Sequence, residues 1–159
     1  MERAHTHSPA GDWPVADAGD SVTLDFDTRH RRRLRLRTDS GDYVLLDLPR
    51  AVAIADGDGL QLEGGGWLAV KAAAEPVVEI SAGSELERLR IVWHLGNRHV
   101  PTEIRGDVVV IRPDHVLEEM VVGLGGTVRR RQAPFQPEGG AYGGHAHAHD
   151  HGHGHGHAH

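Results

Sequence analysis

Residues 84–101, SELERLRIVWHLGNRHVP, decide the fold of the second half of the chain. Ser84 and Glu87 have the spacing of a capping box, in which the two side chains bond backbone N–H groups at the start of a helix. Gly96 is expected to end this helix, because glycine is common where a helix stops. Apolar side chains recur with helical spacing and predict the face that packs into a core, namely Leu86, Leu89 and Trp93.

Short strand-like runs and a second helix surround this first helix. The predicted strands are Val77–Ile80, Thr102–Arg105, Val108–Arg112 and Thr127–Gln132. The second helix begins after Asp114, whose side chain can cap it, and stops at Gly125. Its predicted core face consists of Leu117, Met120, Val121 and Leu124. The resulting order, βαββαβ, is that of a ferredoxin-like domain.

The first half of the chain alternates apolar and polar residues in short runs that turn residues separate, which predicts β-structure. The runs are Val22–Phe26, Arg33–Thr38, Tyr43–Leu48, Val52–Ala55, Leu60–Leu62 and Trp67–Val70. We therefore predict an α+β protein with a small all-β N-terminal domain, a ferredoxin-like domain and a disordered histidine-rich tail. The expected boundaries are a flexible N-terminus at 1–18, the β-rich domain at 19–74, the ferredoxin-like domain at 75–138 and the tail at 139–159.

The composition excludes several classes of protein. The 159 residues include no cysteine, so disulfides, thiolate zinc sites, iron–sulfur clusters and thiol nucleophiles are excluded, and any metal must bind nitrogen and oxygen. The net charge of −6 argues against a nucleic-acid partner. The single lysine, Lys71, lies in a strand-like run and not in a phosphate-binding loop, which excludes nucleotide hydrolysis of the P-loop kind.

The distribution of apolar residues bears on localisation. No apolar run approaches the roughly 18 residues that a membrane span needs, so we expect no membrane partner. Residues 1–10 lack the hydrophobic stretch of a secretory signal. We therefore expect a cytoplasmic protein.

Histidine is concentrated at the C-terminus, where eight of the 14 histidines occupy every second position of the last 15 residues. They are His145, His147, His149, His151, His153, His155, His157 and His159. Imidazole is the commonest protein ligand of transition metals, so this tract predicts several interchangeable sites for Ni(II), Cu(II) or Zn(II). Two other interpretations stay open. One is a purification tag, although tags are usually contiguous histidines, and the other is a pH switch, because imidazole titrates near neutral pH.

A second candidate lies in the turn after the first helix, residues 94–101. Gly96 and Asn97 tolerate a positive φ, so they can reverse the chain there, and Pro101 stiffens the entry to the next strand. This turn would hold His99 at a fixed point of the surface. The His-x4-His spacing is not that of zinc proteases, and no glutamate lies between the two histidines to act as a base. From its chemistry alone, His99 is either a metal ligand or a structural residue.

The remaining histidines of the body are less specific. His115 follows Asp114 at the start of the second helix and is either a metal ligand or an exposed first-turn residue. His5, His7 and His30 are isolated in sequence, and we expect them to be solvated.

Residues 29–37, RHRRRLRLR, contain a run of arginines. In a strand, Arg33, Arg35 and Arg37 share one face, and the leucines between them point to the core. No aromatic residue is interleaved to stack on bases. This face is therefore expected to be solvated or to meet an acidic partner, and not to bind nucleic acid.

The chain resembles the UreE family of urease accessory nickel metallochaperones in three stretches: residues 94–101 (HLGNRHVP), 113–118 (PDHVLE) and 135–144 (FQPEGGAYGG), the last leading into the histidine-rich tail. Within the first stretch, the motif residues around His99 are His94, Gly96, Asn97, Arg98 and Pro101. The similarity extends upstream to Arg31–Leu36, Leu48–Arg50 and Asp56–Asp58.

The resemblance implies a homodimer with a β-rich N-terminal domain similar to peptide-binding modules and a ferredoxin-like C-terminal domain. It implies that His99 binds Ni(II) at the dimer interface, where a two-fold axis brings two such histidines together, and that tail histidines complete the site. Zn(II) or Cu(II) can substitute at such ligands. The implied partners are the urease accessory GTPase and the apo-urease maturation complex. Some members carry a histidine where this chain has Pro113, so the tail is expected to hold more of the metal than a site at His115.

Two functions of different class follow. The first is a non-enzymatic metallochaperone that delivers Ni(II) for assembly of the urease active site. The second is a histidine-rich metal storage or buffering protein without a delivery role, which predicts that the tail holds nearly all the affinity and that His99 is dispensable. A metal-dependent hydrolase needs an open coordination position and a nearby base, and we expect no catalytic residue.

Overall fold

The computed structural model describes residues 1–139, which contain two β-sheets. The strands of the N-terminal sheet are β1 Glu2–Ser8, β2 Ala18–Leu24, β3 Arg33–Arg37, β4 Tyr43–Asp47, β5 Gly59–Leu62 and β6 Trp67–Ala72. Their order in space is β2-β6-β5-β1-β4-β3. Two short 3-10 turns, Val15–Asp17 and Thr28–His30, precede β2 and β3.

One apolar core lies against the N-terminal sheet, because alternate residues of each strand point to the same face. In β3, Leu36 is buried and Leu34 packs beside it, while the arginines of the strand face solvent. The fully buried members of this core include Ala4, Val22, Leu46 and Leu60. The all-β character predicted for the first half of the chain is confirmed.

The N-terminus differs from the flexible segment expected at 1–18. Strand β1 lies inside the sheet, parallel to β4 on one side and antiparallel to β5 on the other, and its Ala4 is fully buried. Trp13 then stacks on Trp67, with ring centroids 5.5 Å apart, and its Nε1–H donates to the carbonyl of Gly57 at 3.0 Å. The segment is polar and has little to bury, so its local pattern carries no strand signal. It becomes a strand because neighbours bond it on both sides.

The predicted strand Val52–Ala55 is wrong, since this segment forms an irregular connection. The N–H of Ile54 donates to the carbonyl of Arg29 at 3.1 Å, and the Arg29 guanidinium donates back to the carbonyl of Ile54 at 3.2 Å. The backbone of the segment thus bonds a 3-10 turn and not a neighbouring strand. Ile54 is nevertheless buried, as its apolar character predicts.

The second half of the chain forms the predicted ferredoxin-like arrangement. Its elements are β7 Glu75–Ala82, α1 Glu85–Asn97, β8 Glu103–Arg105, β9 Val108–Ile111, α2 His115–Gly123 and β10 Gly126–Ala133. The strands are antiparallel in the order β10-β7-β9-β8. Both predicted N-cap side chains bond as expected: Ser84 Oγ accepts the N–H of Glu87 at 3.2 Å, and Asp114 Oδ1 accepts that of Leu117 at 3.0 Å. Among the described hydrogen bonds, the return bond from Glu87 that would complete the capping box is not found. Among residues 1–139, no helix is long and apolar enough to cross a membrane.

The core face predicted for α2 is confirmed, but the one predicted for α1 is wrong. In α2, Val121 is fully buried, and the other three predicted residues pack against the same core. In α1, the buried residues are Ile91 and Leu95, whereas the three predicted residues are exposed. The helix carries apolar residues on two faces, and the face with Ile91 and Leu95, which are one turn apart, is the one that packs on the sheet. The exposed residues, which we call the α1 stripe, are Leu86, Leu89 and Trp93.

A third apolar cluster and one buried arginine join the two halves. The rings of Phe26 and Phe135 meet edge to face with centroids 5.2 Å apart. The guanidinium of Arg29, which is 2% exposed, donates to the carbonyls of Leu24, Ile54 and Phe135. Burial lowers the pKa of Arg29. The cluster contains Phe26, Val77, Val110, Ala133 and Phe135.

Candidate metal centre

The last turn of α1 determines where His99 lies. The helix ends at Asn97, and two backbone hydrogen bonds close it. The N–H of His99 donates to the carbonyl of Gly96 at 3.0 Å, and the N–H of Val100 donates to that of Leu95 at 3.2 Å. This pair of bonds is a Schellman motif, whose left-handed residue is usually glycine. The apolar core holds the motif in place, because Leu95 is fully buried and Val100 packs against the same core.

His99 occupies the left-handed position of this motif, with a φ of 56°. Every other positive φ within residues 1–139 belongs to a glycine. A side chain with a Cβ costs about 1–2 kcal/mol in this conformation. Such strain persists where the surrounding structure fixes it, and it is concentrated at functional sites. The backbone therefore fixes the direction of the His99 Cα–Cβ bond, at a position where glycine has the lower conformational energy.

The turn is built differently from the prediction. Gly96 and Asn97 were the residues expected to reverse the chain, but both lie within α1, and the reversal is made at His99. Pro101 lies between this turn and β8. A histidine was overlooked as the reversing residue because glycine and asparagine are the usual occupants of left-handed positions.

His99 lines a groove of about 680 Å³ between the two halves of the chain. The C-terminal half contributes residues of the α1 turn, and residues 136–139 form another side. The N-terminal half contributes Phe26, His30 and Ile54 among others. Sequence reasoning missed this second wall, because no local pattern indicates that residues near 26–30 and 54 lie beside α1. Only the packing of one domain on the other creates it.

His30 is exposed, as expected, but its ring is fixed in place. Its Nδ1 lies 2.8 Å from the carbonyl oxygen of Phe26, and the two rings pack with centroids 4.3 Å apart. A carbonyl only accepts, so Nδ1 carries the proton and Nε2 of the neutral ring keeps its lone pair. A ring nitrogen oriented in this way by a backbone carbonyl is suited to bind a metal ion.

His94 and Arg98 support the turn. The Arg98 guanidinium donates to the carbonyl of His94 at 3.2 Å and lies 3.4 Å from Nδ1 of the same residue. The ring of His94 also meets Trp93 edge to face, with centroids 5.0 Å apart. A cation at this place is favourable, because the carbonyl end of a helix carries partial negative charge. Among the described residues, His99 lines the groove and His94 does not.

His115 lies apart from His99. It is the first residue of α2, its side chain is 84% exposed, and its Nε2 lies 3.2 Å from Glu119 Oε1 one turn later. The described chain therefore does not bring His115 into the groove.

Few ligands converge within the described part of the chain. Residues 1–139 contain no group of three or more histidine, aspartate or glutamate side chains placed to hold one metal ion. The predicted tail ligands, His145 to His159, and the disorder predicted for the tail lie outside the described residues. Of the described histidines, His30 and His99 line the groove, one from each half of the chain.

His7, which was expected to be solvated, is half-buried and pairs with the buried Asp58. Its Nε2 lies 2.6 Å from Asp58 Oδ2, and Asp58 also accepts the backbone N–H groups of Ala10 at 2.9 Å and Ala55 at 2.8 Å. Burial by itself would raise the pKa of Asp58, but the hydrogen bonds from His7, Ala55 and Ala10 outweigh it, so the pKa lies below its ordinary value. The pair therefore connects the end of β1 to the loop before β5.

Several curated proteins are similar to this chain. The protein named urease accessory protein UreE from Bradyrhizobium sp. (strain ORS 278) is 55% identical over 130 residues, which cover 82% of this chain and 61% of that protein. Its namesake from Rhodopseudomonas palustris (strain BisB18) is 54% identical over the same coverage, and that from Chelativorans sp. (strain BNC1) is 48% identical, covering 81% and 82%. The chain thus spans about three-fifths of the length of the first two relatives.

Family models account for both halves of the fold. The model described as UreE urease accessory protein, N-terminal domain, matches residues 2–73, and that described as UreE urease accessory protein, C-terminal domain, matches residues 75–159. The boundary between the two matches lies between β6 and β7, where the two sheets meet in sequence. The chain belongs to the UreE urease accessory protein family.

Proposed function

We propose that this chain is a non-enzymatic Ni(II) metallochaperone that takes part in urease maturation and delivers the ion for assembly of the urease active site. The observation that carries the proposal is the left-handed conformation of His99, an exposed histidine that lines the groove and whose backbone strain is tolerated in place of glycine. Neutral imidazole is a ligand that nickel accepts. The relatives are named urease accessory proteins, which connects such a ligand with urease.

A homodimer supplies the second ligand. One imidazole is a poor site, but a two-fold axis near His99 brings two of them to one ion. The α1 stripe supports this arrangement, because its side chains are 57%, 57% and 64% exposed and lie on the helix that ends in the His99 turn. Contiguous exposed apolar side chains mark interaction surfaces. A second copy that covers the Trp93 end of the stripe, with the two-fold axis near the His99 turn, would place the two turns close together.

The tail histidines complete the coordination and store further ions. His145, the first of them, follows the groove-lining Gly139 by six residues, a span of up to about 20 Å. Nitrogen and oxygen ligands do not select nickel over Cu(II) or Zn(II), so these ions can occupy the same site.

Delivery proceeds by ligand exchange in this proposal. Tail histidines are independent ligands, so they can leave the ion one at a time while the ligands of a partner replace them. The proposed partners are the urease accessory GTPase and the apo-urease maturation complex.

Nickel titration calorimetry tests the proposal. The proteins are the full chain, a version ending at Gly144, and the shortened version carrying either His99→Ala or His94→Ala. We expect the shortened chain to keep one tight binding event per two chains, His99→Ala to abolish it and His94→Ala to retain it. The His94 variant is the matched control, because it removes a neighbouring imidazole outside the groove.

The eight alternating histidines favour a second function, histidine-rich metal storage or buffering without delivery. If shortening the chain at Gly144 removes all nickel binding, storage is the better description and the chaperone proposal fails. Activation of apo-urease by the nickel-loaded chain, compared with the same chain carrying His99→Ala, tests delivery itself.

A further inference from the structure

One of the two edges of the N-terminal sheet is formed by β3, which carries a row of exposed arginines. Within the described residues, β3 pairs with β4 and with no other strand, and its open edge ends just beyond Arg37, where the N–H of Asp39 donates to the carbonyl of Ser21 in β2 at 2.8 Å. Leu34 and Leu36 pack in the core, so the register of the strand is fixed, and the residues that alternate with them face solvent. These residues, which we call the β3 arginines, are Arg33, Arg35 and Arg37.

The backbone of the β3 arginines points away from the sheet. The N–H of Leu48 donates to the carbonyl of Arg32 at 3.0 Å, and the N–H of Thr38 donates to that of Asp42 at 2.8 Å. Bonded and non-bonded positions alternate along an antiparallel pair. The even-numbered residues of β3 therefore bond to β4, and the odd-numbered ones direct their N–H and C=O groups to the open edge. The β3 arginines thus combine free backbone groups with positive charge.

This charge is not neutralised by the described part of the chain. None of its ion pairs includes a β3 arginine. The guanidinium of Arg35 lies 4.2 Å above the ring of Tyr43, and Asp47, which is opposite the first of the β3 arginines, bonds Arg3 at 3.2 Å instead. Residues 31–37 are therefore a concentrated basic strip on a chain whose net charge is −6.

We propose that the free edge of β3 binds an extended acidic segment of a partner protein, which adds to the N-terminal sheet as a further strand. Main-chain hydrogen bonds to the open edge supply affinity, as in other cases of strand addition. Acidic side chains at alternate positions of the segment lie opposite the β3 arginines, and the intervening apolar side chains extend the core face next to Leu34 and Leu36. The inference concerns a surface separate from His99 and does not rest on metal binding.

Synthetic peptides test strand addition directly. A fluorescein-labelled peptide of alternating Glu and Val residues is titrated with the full chain in the absence of metal, and binding is followed by fluorescence anisotropy. Two analogues carry N-methyl groups on every Glu or on every Val, so both keep the charge and lose one alternate set of N–H donors. An added strand uses one set only, so we expect one analogue to bind about tenfold or more weakly and the other to match the parent. Equal affinity of the two analogues would overturn strand addition.

Protein variants test the role of the arginines. Replacing the three β3 arginines by glutamine should weaken peptide binding about tenfold or more, while Arg50→Gln, Arg88→Gln and Arg129→Gln together change the net charge equally and should leave it intact. Equal loss in both triple variants would overturn the proposal. Single-stranded oligothymidine that bound as tightly as the peptide, with the same dependence on the β3 arginines, would assign the strip to phosphate and also overturn it.

Discussion

At the scale of single residues, substitutions of His99 distinguish its effect on stability from its effect on metal binding, because its backbone is strained. We predict that His99→Gly is more stable than His99→Ala by about 1 kcal/mol, because glycine adopts the left-handed conformation without a Cβ penalty. Both variants lack the imidazole, so both should lose the proposed nickel site. Urea denaturation at one protein concentration gives the stabilities, and calorimetry gives the nickel affinity.

Two outcomes of that comparison would contradict the assignment. Equal stability of the glycine and alanine variants would mean that position 99 carries no strain. Retention of the tight site in either variant would remove His99 from the metal centre.

We predict that Asp58 makes the free energy of unfolding of the N-terminal domain fall at acidic pH. Its pKa is lowered in the folded state, so its stabilising contribution is complete above the ordinary value of about 3.9 and is lost as the pH falls through the folded-state pKa. We expect Asp58→Asn to reduce the free energy of unfolding by about 2 kcal/mol at pH 7 and to flatten its decline below pH ~4. Denaturation as a function of pH measures both effects.

The exposed Asp27 provides the control for Asp58. It pairs with Arg112 at 2.9 Å but its side chain is 78% exposed, so Asp27→Asn should change stability by less than about 1 kcal/mol. An equal loss of stability in both variants would mean that the hydrogen bonds of Asp58 stabilise the fold no more than an exposed ion pair does.

At the scale of elements, the α1 stripe is the surface that we propose for the dimer interface. We predict that Leu89→Glu dissociates the proposed homodimer and abolishes the proposed nickel site, because a buried charge in the interface is unfavourable. Val122→Glu on α2 is the control, since Val122 is 55% exposed and Leu89 is 57% exposed. Sedimentation equilibrium measures the association. Equal behaviour of the two variants would remove the α1 stripe from the dimer interface.

Local signals predicted most of the elements. The caps at Ser84 and Asp114 followed from side chains that bond nearby backbone, and the apolar runs predicted the order of the elements in the second half. The sequence did not reveal β1, because its pairing is entirely with distant strands. It also misassigned the buried face of α1, because two apolar faces of one helix cannot be ranked without knowing which one meets the sheet. For His99 the family motif indicated the residue, but only the structure revealed its backbone conformation.

At the scale of the whole molecule, Arg29 holds the two halves together. We predict that Arg29→Met lowers the free energy of unfolding by about 3 kcal/mol, because the buried carbonyls of Leu24, Ile54 and Phe135 lose their shared donor. It should also raise hydrogen exchange along the groove. Chemical denaturation and hydrogen exchange measured by mass spectrometry check the two effects.

Arg112→Met is the matched control for this junction. Arg112 also connects the halves, through Asp27 and the ring of Phe26, but its side chain is 38% exposed. We expect it to cost less than about 1 kcal/mol. A larger loss from Arg112→Met than from Arg29→Met would show that the surface contacts, and not the buried guanidinium, hold the domains.

The central claim is that two copies of His99 hold one nickel ion across a two-fold axis. Native mass spectrometry of the chain ending at Gly144, with nickel added at half the concentration of the chain, tests it most directly. We predict a dimer that carries one nickel ion, and loss of that species in His99→Ala. Nickel bound to monomers, or a nickel-loaded dimer that persists in His99→Ala, would contradict the claim.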